Sequence, residues 1–600
     1  MSVSRKKVVI FTMVVMVVLV MLFNRSMCWL DTGITWHKLF VGGLSIFGVL
    51  GIPLLMGYVE PMRMCAVGII ESIRKGIQTA IVNRKKIGAW VLVYAVVIFM
   101  TWLAERFVIS ERLGGFNYSR LLFFWGCASL MLLLIAFRKM AAQRPEALFA
   151  LAALVLGMTT ILSCPGYIGI SPDDETHYVR SISLASVFDY VKYEAESKML
   201  DDYPSLVYGI RDERISYEEM TAYAEELNTM FGPEFASNED IFDIENEDAI
   251  GYRAQLGTYS LAYVPSAVGI IIGKGLHLPF TQVLICGKMA ILLTYIGIIY
   301  FAIKRLKYGK TLLAFIALTP TTLFLASSYS YDWWVTAFLL AGFSYYISEL
   351  QYSERKLSNK NLFCMLLCFL LGILPKWVYG ILMATLFFIP KNKFASQKQR
   401  TGYYMIMFLG MLLGVVFLVC PVFIRGLGQG DIRGGADVNA TLQLILVCTH
   451  PWEYAQVMLE FMKSYISLDN ASQYLTNMGY LGDGVHATLL VVVMGILTFL
   501  DRSEEKVRMP VIRFVNLFTI FCGIALVITV FYLVYTPVGS DAVLGCQARY
   551  LIPFLFPAIY FIGVDGTSTA INRNTISIVS IGIAGAVYLL NYWSVYISLL

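Results

Sequence analysis

Several short polar stretches interrupt this apolar chain, and their side chains can bind charge or move protons. Pro172-Asp173-Asp174-Glu175-Thr176-His177 sets three carboxylates beside an imidazole. Adjacent carboxylates can serve as a general base or hold a divalent cation, and Asp174 with Glu175 leaves both open. Tyr329-Ser330-Tyr331-Asp332 ends on another acid, and Lys376 stands between Pro375 and Trp377. Arg425, Asp431 and Arg433 follow a long apolar stretch, and Gln547-Ala548-Arg549-Tyr550 precedes another. Carboxylates and cations converging on one membrane face would suit a polar, anionic substrate. Each stretch also has a plainer reading. Asp173, Asp174 and Glu175 suit the cap and first turn of a helix, as Asp332 does. Lys376 can snorkel from a short helix, and Tyr550 and Trp377 suit interfacial anchors.

The elements that must position these residues are membrane helices. Of 600 residues, 58% are hydrophobic and 14% are charged, and mean hydropathy is +0.68. Soluble domains carry roughly 25% charge, so this chain cannot cover itself with a polar skin. Apolar runs long enough to span begin with Val8–Phe23, Leu39–Met56, Ala89–Val108, Leu121–Phe137 and Ala147–Cys164. The first reads as a span, not a cleaved signal, because no small-residue cleavage site comes after it. Basic residues gather at Arg5–Lys7, Arg63 to Lys86 and Arg138 to Arg144, which places those loops in the cytoplasm. The stretch from Gly166 to about Gln255 then emerges outside. It is acidic, with 21 of the chain's 41 Asp and Glu residues between Asp173 and Asp248. Ser216–Phe231 within it reads as a short helix, and Glu234 to Asp248 as a solvated run.

Charge parity decides how the next apolar segments are placed. If Leu256–Gly273 and Ile285–Ile303 both crossed, Lys304, Arg305, Lys307 and Lys310 would face outward, against the positive-inside rule. Thr258–Gly273 is therefore expected to lie in the outer interface or re-enter it. Later spans are expected over Thr311–Ser328, Trp333–Leu350, Asn361–Leu374, Trp377–Ile389, Tyr403–Ile424, Ala487–Leu500, Phe514–Tyr535, Leu551–Phe561 and from Thr575 onward. Leu362–Leu374 and Trp377–Ile389 are short enough to form a broken pair. The fold class is then an all-α polytopic membrane protein of about fifteen transmembrane helices, with the polar motifs extracytoplasmic. Net charge of +5 says little about partners, no nucleic-acid motif occurs, and the 11 cysteines imply no disulfide framework.

The order of motifs resembles a family of bacterial polytopic membrane proteins related to C-type (GT-C fold) glycosyltransferases. The likeness rests on Pro172-Asp173-Asp174-Glu175-Thr176-His177, on Ala302-Ile303-Lys304 with Leu318-Thr319-Pro320 and Ala326-Ser327 to Asp332, on Met478-Gly479-Tyr480-Leu481-Gly482-Asp483, and on Gln547-Ala548-Arg549-Tyr550-Leu551-Ile552-Pro553. It covers about residues 147–600, and Ala548 stands where the family usually has Gly. The resemblance implies an N-terminal transmembrane extension over 1–145 and a GT-C-like core over 146–600. Within the core it implies extracytoplasmic loops at 166–255 and 425–485. It further implies transfer of a sugar from a polyprenyl-phosphate donor to a cell-envelope glycan or lipid-linked acceptor. Asp174 would then be the base or metal-binding acid, with Glu175 its partner and Asp173 the next choice. Lys376 and Arg549 would hold the lipid phosphate, and Asp332 would orient an acceptor hydroxyl. His177, Gln547, Tyr550 and Arg433 would complete substrate binding. A transporter or flippase of lipid-linked sugars, or a non-catalytic assembly protein, are the competing readings. Inverted repeats and charges at mid-membrane would mark a transporter.

Overall fold

In a computed structural model the described residues are 4–27, 36–59, 83–164, 169–187, 216–230, 257–424, 430–502, 510–563 and 571–600, with scattered residues between 62 and 82. Most of the acidic stretch, including Glu234 to Asp248, lies outside them, as does Arg425. Among the described residues the elements are helical, without strands. Eight are long and apolar enough to cross a membrane: 5–26, 38–58, 88–112, 118–137, 145–163, 280–305, 510–534 and 573–599. Many of their large apolar side chains face outward, as lipid contact allows.

The amino-terminal helices that bear on the site are α1 (Arg5–Ser26), α2 (Tyr118–Phe137) and α3 (Pro145–Ser163). Two amphipathic helices come next, α4 (Asp174–Ala185) and α5 (Tyr217–Met230). Ser216 and Glu219 form a reciprocal cap that starts α5, where a short helix was expected. A 3-10 turn (Thr258–Tyr263) leads into α6 (Val264–Gly275), which precedes α7 (Phe280–Arg305). Then come α8 (Lys310–Ala317), α9 (Pro320–Leu325), α10 (Asp332–Gln351) and α11 (Asn359–Ile373). A 12-residue 3-10 stretch, Trp377–Phe388, precedes α12 (Gln397–Ile424). The chain closes with α13 (Pro451–Tyr465), α14 (Ala487–Leu500), α15 (Pro510–Val534), α16 (Ile552–Ile562) and α17 (Arg573–Val595).

Helix α10 defines two ends of the bundle, because it carries an acid near each terminus. Asp332 and Glu349 are separated by about 26 Å at 1.5 Å per residue. At the Glu349 end, the buried carboxylate meets Arg305 at 2.7 Å, Arg355 at 2.8 Å and Lys393 at 3.2 Å. Asp501 accepts from the backbone N–H groups of Thr311 and Leu312, and Arg502 donates to the Ile559 and Tyr560 carbonyls. The Ala142 N–H donates to Asn574. Basic loops far apart in sequence thus meet at one end, as the charge-parity reading requires. The opposite end holds the polar motifs.

Two segments depart from the expected spans. Thr311–Ser328 is not one helix: α8 and α9 are separated at Leu318-Thr319, with Thr319 extended (ψ 145°) ahead of Pro320. A proline disfavours α geometry in the residue before it and removes a donor, so the break arises from local chemistry. Trp377–Ile389 forms a 3-10 stretch beside the ordinary helix α11, which agrees with a broken pair. Among the described residues, the eight candidate spans are joined by shorter apolar helices at 359–373, 377–388, 440–449, 487–500 and 548–562. Thr258–Gly273 splits into the 3-10 turn and α6, which doubles back along the first half of α7. A Cβ on Gly269 would sit 2.2 Å from the Cys286 carbonyl oxygen, so glycine permits this approach. Tyr263 reaches His177 at the beginning of α6, and the α6 end lies near Val283. The segment therefore stays within the half of the bundle that holds the motifs.

A chain of alternating charge as candidate functional site

The first motif is held by another of the motifs. The Tyr480 N–H donates to the Ile170 carbonyl at 2.9 Å. Gly479 adopts φ +61°, and a Cβ there would lie 2.6 Å from that same oxygen. The Met478–Asp483 loop thus packs on the residues leading into Asp173. Asp173 itself has φ +58°, a left-handed conformation that Asp tolerates better than most residues. That turn separates the next two acids. Asp174 points into the bundle and is fully buried, while Asp173 stays 42% exposed at the rim.

Asp174 Oδ1 accepts the Tyr329 N–H at 2.7 Å, and Oδ2 has no hydrogen-bond partner among the described residues. Burial pushes the carboxyl up to about 7, opposed by Lys288 and the Tyr329 N–H, with Glu175 adding to the rise. Asp174 therefore pins the turn that carries Tyr331 and Asp332. His177, one turn along α4, hydrogen-bonds the Tyr263 hydroxyl at 2.8 Å and meets the Tyr331 ring edge-on at 4.8 Å. Burial holds its pKa down near 3 against the pull of Asp332, so it is neutral and acts as a packing and orienting group.

Asp332 begins α10, and its backbone N–H donates to Ser330 Oγ. Its two carboxylate oxygens are both taken: Oδ1 by the Lys376 ammonium and Oδ2 by Arg549 Nε at 2.7 Å. An acceptor hydroxyl oriented by Asp332, as expected from the resemblance, would share an oxygen with one of these cations. The Lys376 ammonium also lies 3.9 Å from the Tyr550 ring centroid and 5.0 Å from that of Tyr331. Such rings stabilise a desolvated cation. Burial lowers the Lys376 pKa to about 8, opposed by Asp332 and reinforced by Arg549.

Arg549 extends the line toward solvent. Its guanidinium approaches Asp173 at 3.9 Å, and Asp173 meets Arg433 at 3.5 Å. Arg433 in turn holds Asp431 at 2.7 Å. The order Lys376, Asp332, Arg549, Asp173, Arg433, Asp431 alternates in sign from buried to exposed. The backbone beneath Arg549 is fixed by two phenols: Tyr465 donates to the Gln547 carbonyl at 2.7 Å and Tyr379 to that of Tyr550 at 2.9 Å. Beside Arg549 opens a cavity of about 940 Å³ whose wall includes Pro172, Tyr465, Asn470, Gln473 and Gln547.

The structure thus brings Asp173, Asp332, Lys376, Arg433, Arg549 and Tyr550 together, with His177 packed against Tyr331. Gln547 lines the cavity beside Arg549. Asp174 and Glu175 sit behind this line. Among the described residues no group of three His, Cys, Asp or Glu side chains converges as a metal site. Sequence reading gave no site role to Tyr331, though it stands inside the Tyr329-Ser330-Tyr331-Asp332 motif, nor to Tyr263, Tyr465 and Lys288. Lys288 was visible as a lone charge inside an apolar run and is 2% exposed in α7. An ionisable group in such a position is a functional signal by default.

Residues 154–557 match the family described as Predicted membrane protein (DUF2142), which takes in every member of the charge chain. This chain belongs to that family. The DUF2142 region leaves α1 and α2 outside it, and α17 beyond its other end. No curated protein and no solved structure matches the chain. Membership and the apolar helices together identify a membrane protein.

Proposed function

We propose that this DUF2142 protein is a GT-C-like membrane glycosyltransferase that moves a sugar from a polyprenyl-phosphate donor to an envelope glycan at the extracytoplasmic face. The observation that carries the reading is the Lys376–Asp332–Arg549 trio, which holds two cations with one acid at a polar end of an apolar bundle. Its net charge of +1 suits a phosphate whose charge grows as the sugar leaves. Asp173 is the carboxylate open to a substrate, and Asp174 fixes the turn behind it. In the reaction the acceptor oxygen bonds to the anomeric carbon while the carbon–oxygen bond to phosphate breaks. Asp173 takes the hydroxyl proton, and polyprenyl phosphate departs on Arg549 and Lys376. A total of about fifteen spans, with 1–145 as an extension and 146–600 as a GT-C-like core, belongs to this proposal.

Transport of a lipid-linked sugar has one feature in its favour. Lys288 and the α8–α9 break both lie inside the bundle, where transporters place charge and discontinuous helices. One experiment separates the two. Purified protein in proteoliposomes is given polyprenyl-phosphate sugars, and bond formation and leaflet exchange are measured together. Sugar transfer that is abolished by Asp173→Asn supports the enzyme. Leaflet exchange without any glycosidic bond formed sinks it, and transfer that persists in Asp173→Asn removes Asp173 from the chemistry.

A further inference from the structure

The cavity beside Arg549 is separate from the charge chain but shares that one residue with it. Its volume of about 940 Å³ falls at the upper end of the roughly 300–1,000 Å³ usual for small-molecule sites. The lining is not that of a lipid groove. Asn470, Gln473 and Asn477 supply amides, Ser464 and Ser467 supply hydroxyls, and Phe461, Tyr465 and Tyr480 supply rings. Its charges balance, Lys463 and Arg549 against Glu460 and Asp469, so nothing favours a polyanion. Amides and hydroxyls that exchange hydrogen bonds with ligand hydroxyls, beside ring faces for apolar patches, fit a neutral carbohydrate.

Two of the amides are set in advance. Asp483, outside the cavity, accepts from Gln473 Nε2 and from Asn477 Nδ2, each at 2.5 Å. Asn477 Oδ1 also accepts the Gly479 N–H at 2.9 Å, and the Asn470 amide donates to the Tyr465 carbonyl. One N–H of each amide is thereby engaged, which fixes its plane, and the second N–H and the Gln473 carbonyl oxygen can donate to and accept from a ligand hydroxyl. Orientation fixed before binding lowers the ordering cost of the complex. This also gives a task to the Met478–Asp483 motif: its glycine packs on Ile170, and its acid orients the cavity wall.

We infer that this cavity is the subsite for the acceptor, a neutral oligosaccharide whose end reaches Arg549 and Asp173. The inference rests on the transferase reading for its place in the reaction, but the binding itself is tested without turnover. Full-length protein in detergent is titrated against an array of neutral oligosaccharides of two to six residues, and separately against undecaprenyl phosphate. The expected result is oligosaccharide binding that weakens about ten-fold or more in Gln473→Ala/Asn477→Ala, with undecaprenyl phosphate binding unchanged. Asp483→Ala is expected to weaken the same binding several-fold by freeing both amides, and Asp483→Asn to recover part of it. Gel filtration and melting confirm that each variant is folded. Array-wide absence of binding in protein that still takes undecaprenyl phosphate overturns the subsite and leaves the donor reading standing. Saccharide binding indifferent to Gln473, Asn477 and Asp483 overturns it as well. Saccharide binding in protein without affinity for undecaprenyl phosphate keeps the subsite and sinks the donor reading instead.

Discussion

At the residue scale, Asp332 is the hinge of the site's electrostatics. Its carboxylate is shared between Lys376 and Arg549, which are 44 and 217 residues away. Removing one partner from a buried ion pair leaves an uncompensated charge and costs roughly 3–5 kcal/mol. Asp332→Ala is accordingly expected to lower the melting temperature sharply, and Asp332→Ala/Lys376→Met to recover part of the loss. A double-mutant cycle by thermal melting in detergent measures the coupling, and additive effects would refute it. Lys376 also sets a pH limit. With its pKa lowered to about 8 by burial, the ammonium loses its proton as pH rises through that value, and the trio loses its net positive charge. Affinity for a phosphate-bearing lipid is therefore expected to hold below pH 8 and fall above it. Lys376→Arg should move that fall to higher pH, as measured by titration across pH 6–10. Sequence alone singled out both cations, because charge beside an apolar run is conspicuous. Their common partner was not legible, since no local rule links positions hundreds of residues apart. The separation of Asp173 from Asp174 was equally hidden, because it depends on one left-handed residue.

At the element scale, the local breaks were written in plain residues. Thr319-Pro320 announced the α8–α9 break, yet the surrounding apolar composition read as one continuous span. The α6–α7 hairpin was legible only indirectly, through the charge of the Lys304–Lys310 loop. Its structural cause is Gly269, whose missing side chain lets α6 lie on the Cys286 backbone. The loop at Gly479 makes the sharper test. Alanine there meets both a left-handed backbone, at about 1–2 kcal/mol, and a close approach to the Ile170 carbonyl. Gly479→Ala is expected to destabilise the protein by about 2 kcal/mol or more and to loosen the turn at Asp173. Melting in detergent reads the first effect. Exposure of a cysteine placed at Pro172 reads the second, and unaltered reactivity there would show the two loops to be uncoupled.

At the scale of the whole molecule, basic loops collect around Glu349 and acidic, amide-rich loops around Asp173. Membrane residence was legible in composition, and the gathering of basic loops in their spacing. The number of crossings was not, since helices of 10–15 residues fall between core elements and spans. The sidedness that this segregation implies is open to direct measurement. A single cysteine at Asn470 is expected to react with a membrane-impermeant maleimide in intact cells. One at Lys356 is expected to react only after permeabilisation. The reverse pattern would invert the orientation and remove the site from the outer face.

Helix α10 has a mechanical consequence. Its two acids are tied to cations from several other segments, Lys376 and Arg549 at one terminus and Arg305, Arg355 and Lys393 at the other. A slide of one helical turn, about 5.4 Å, would carry both carboxylates out of hydrogen-bonding reach at once. The helix therefore behaves as a stator riveted at both faces of the bundle. Movement during a working cycle must fall to segments outside those rivets, and the α8–α9 break supplies a joint for it.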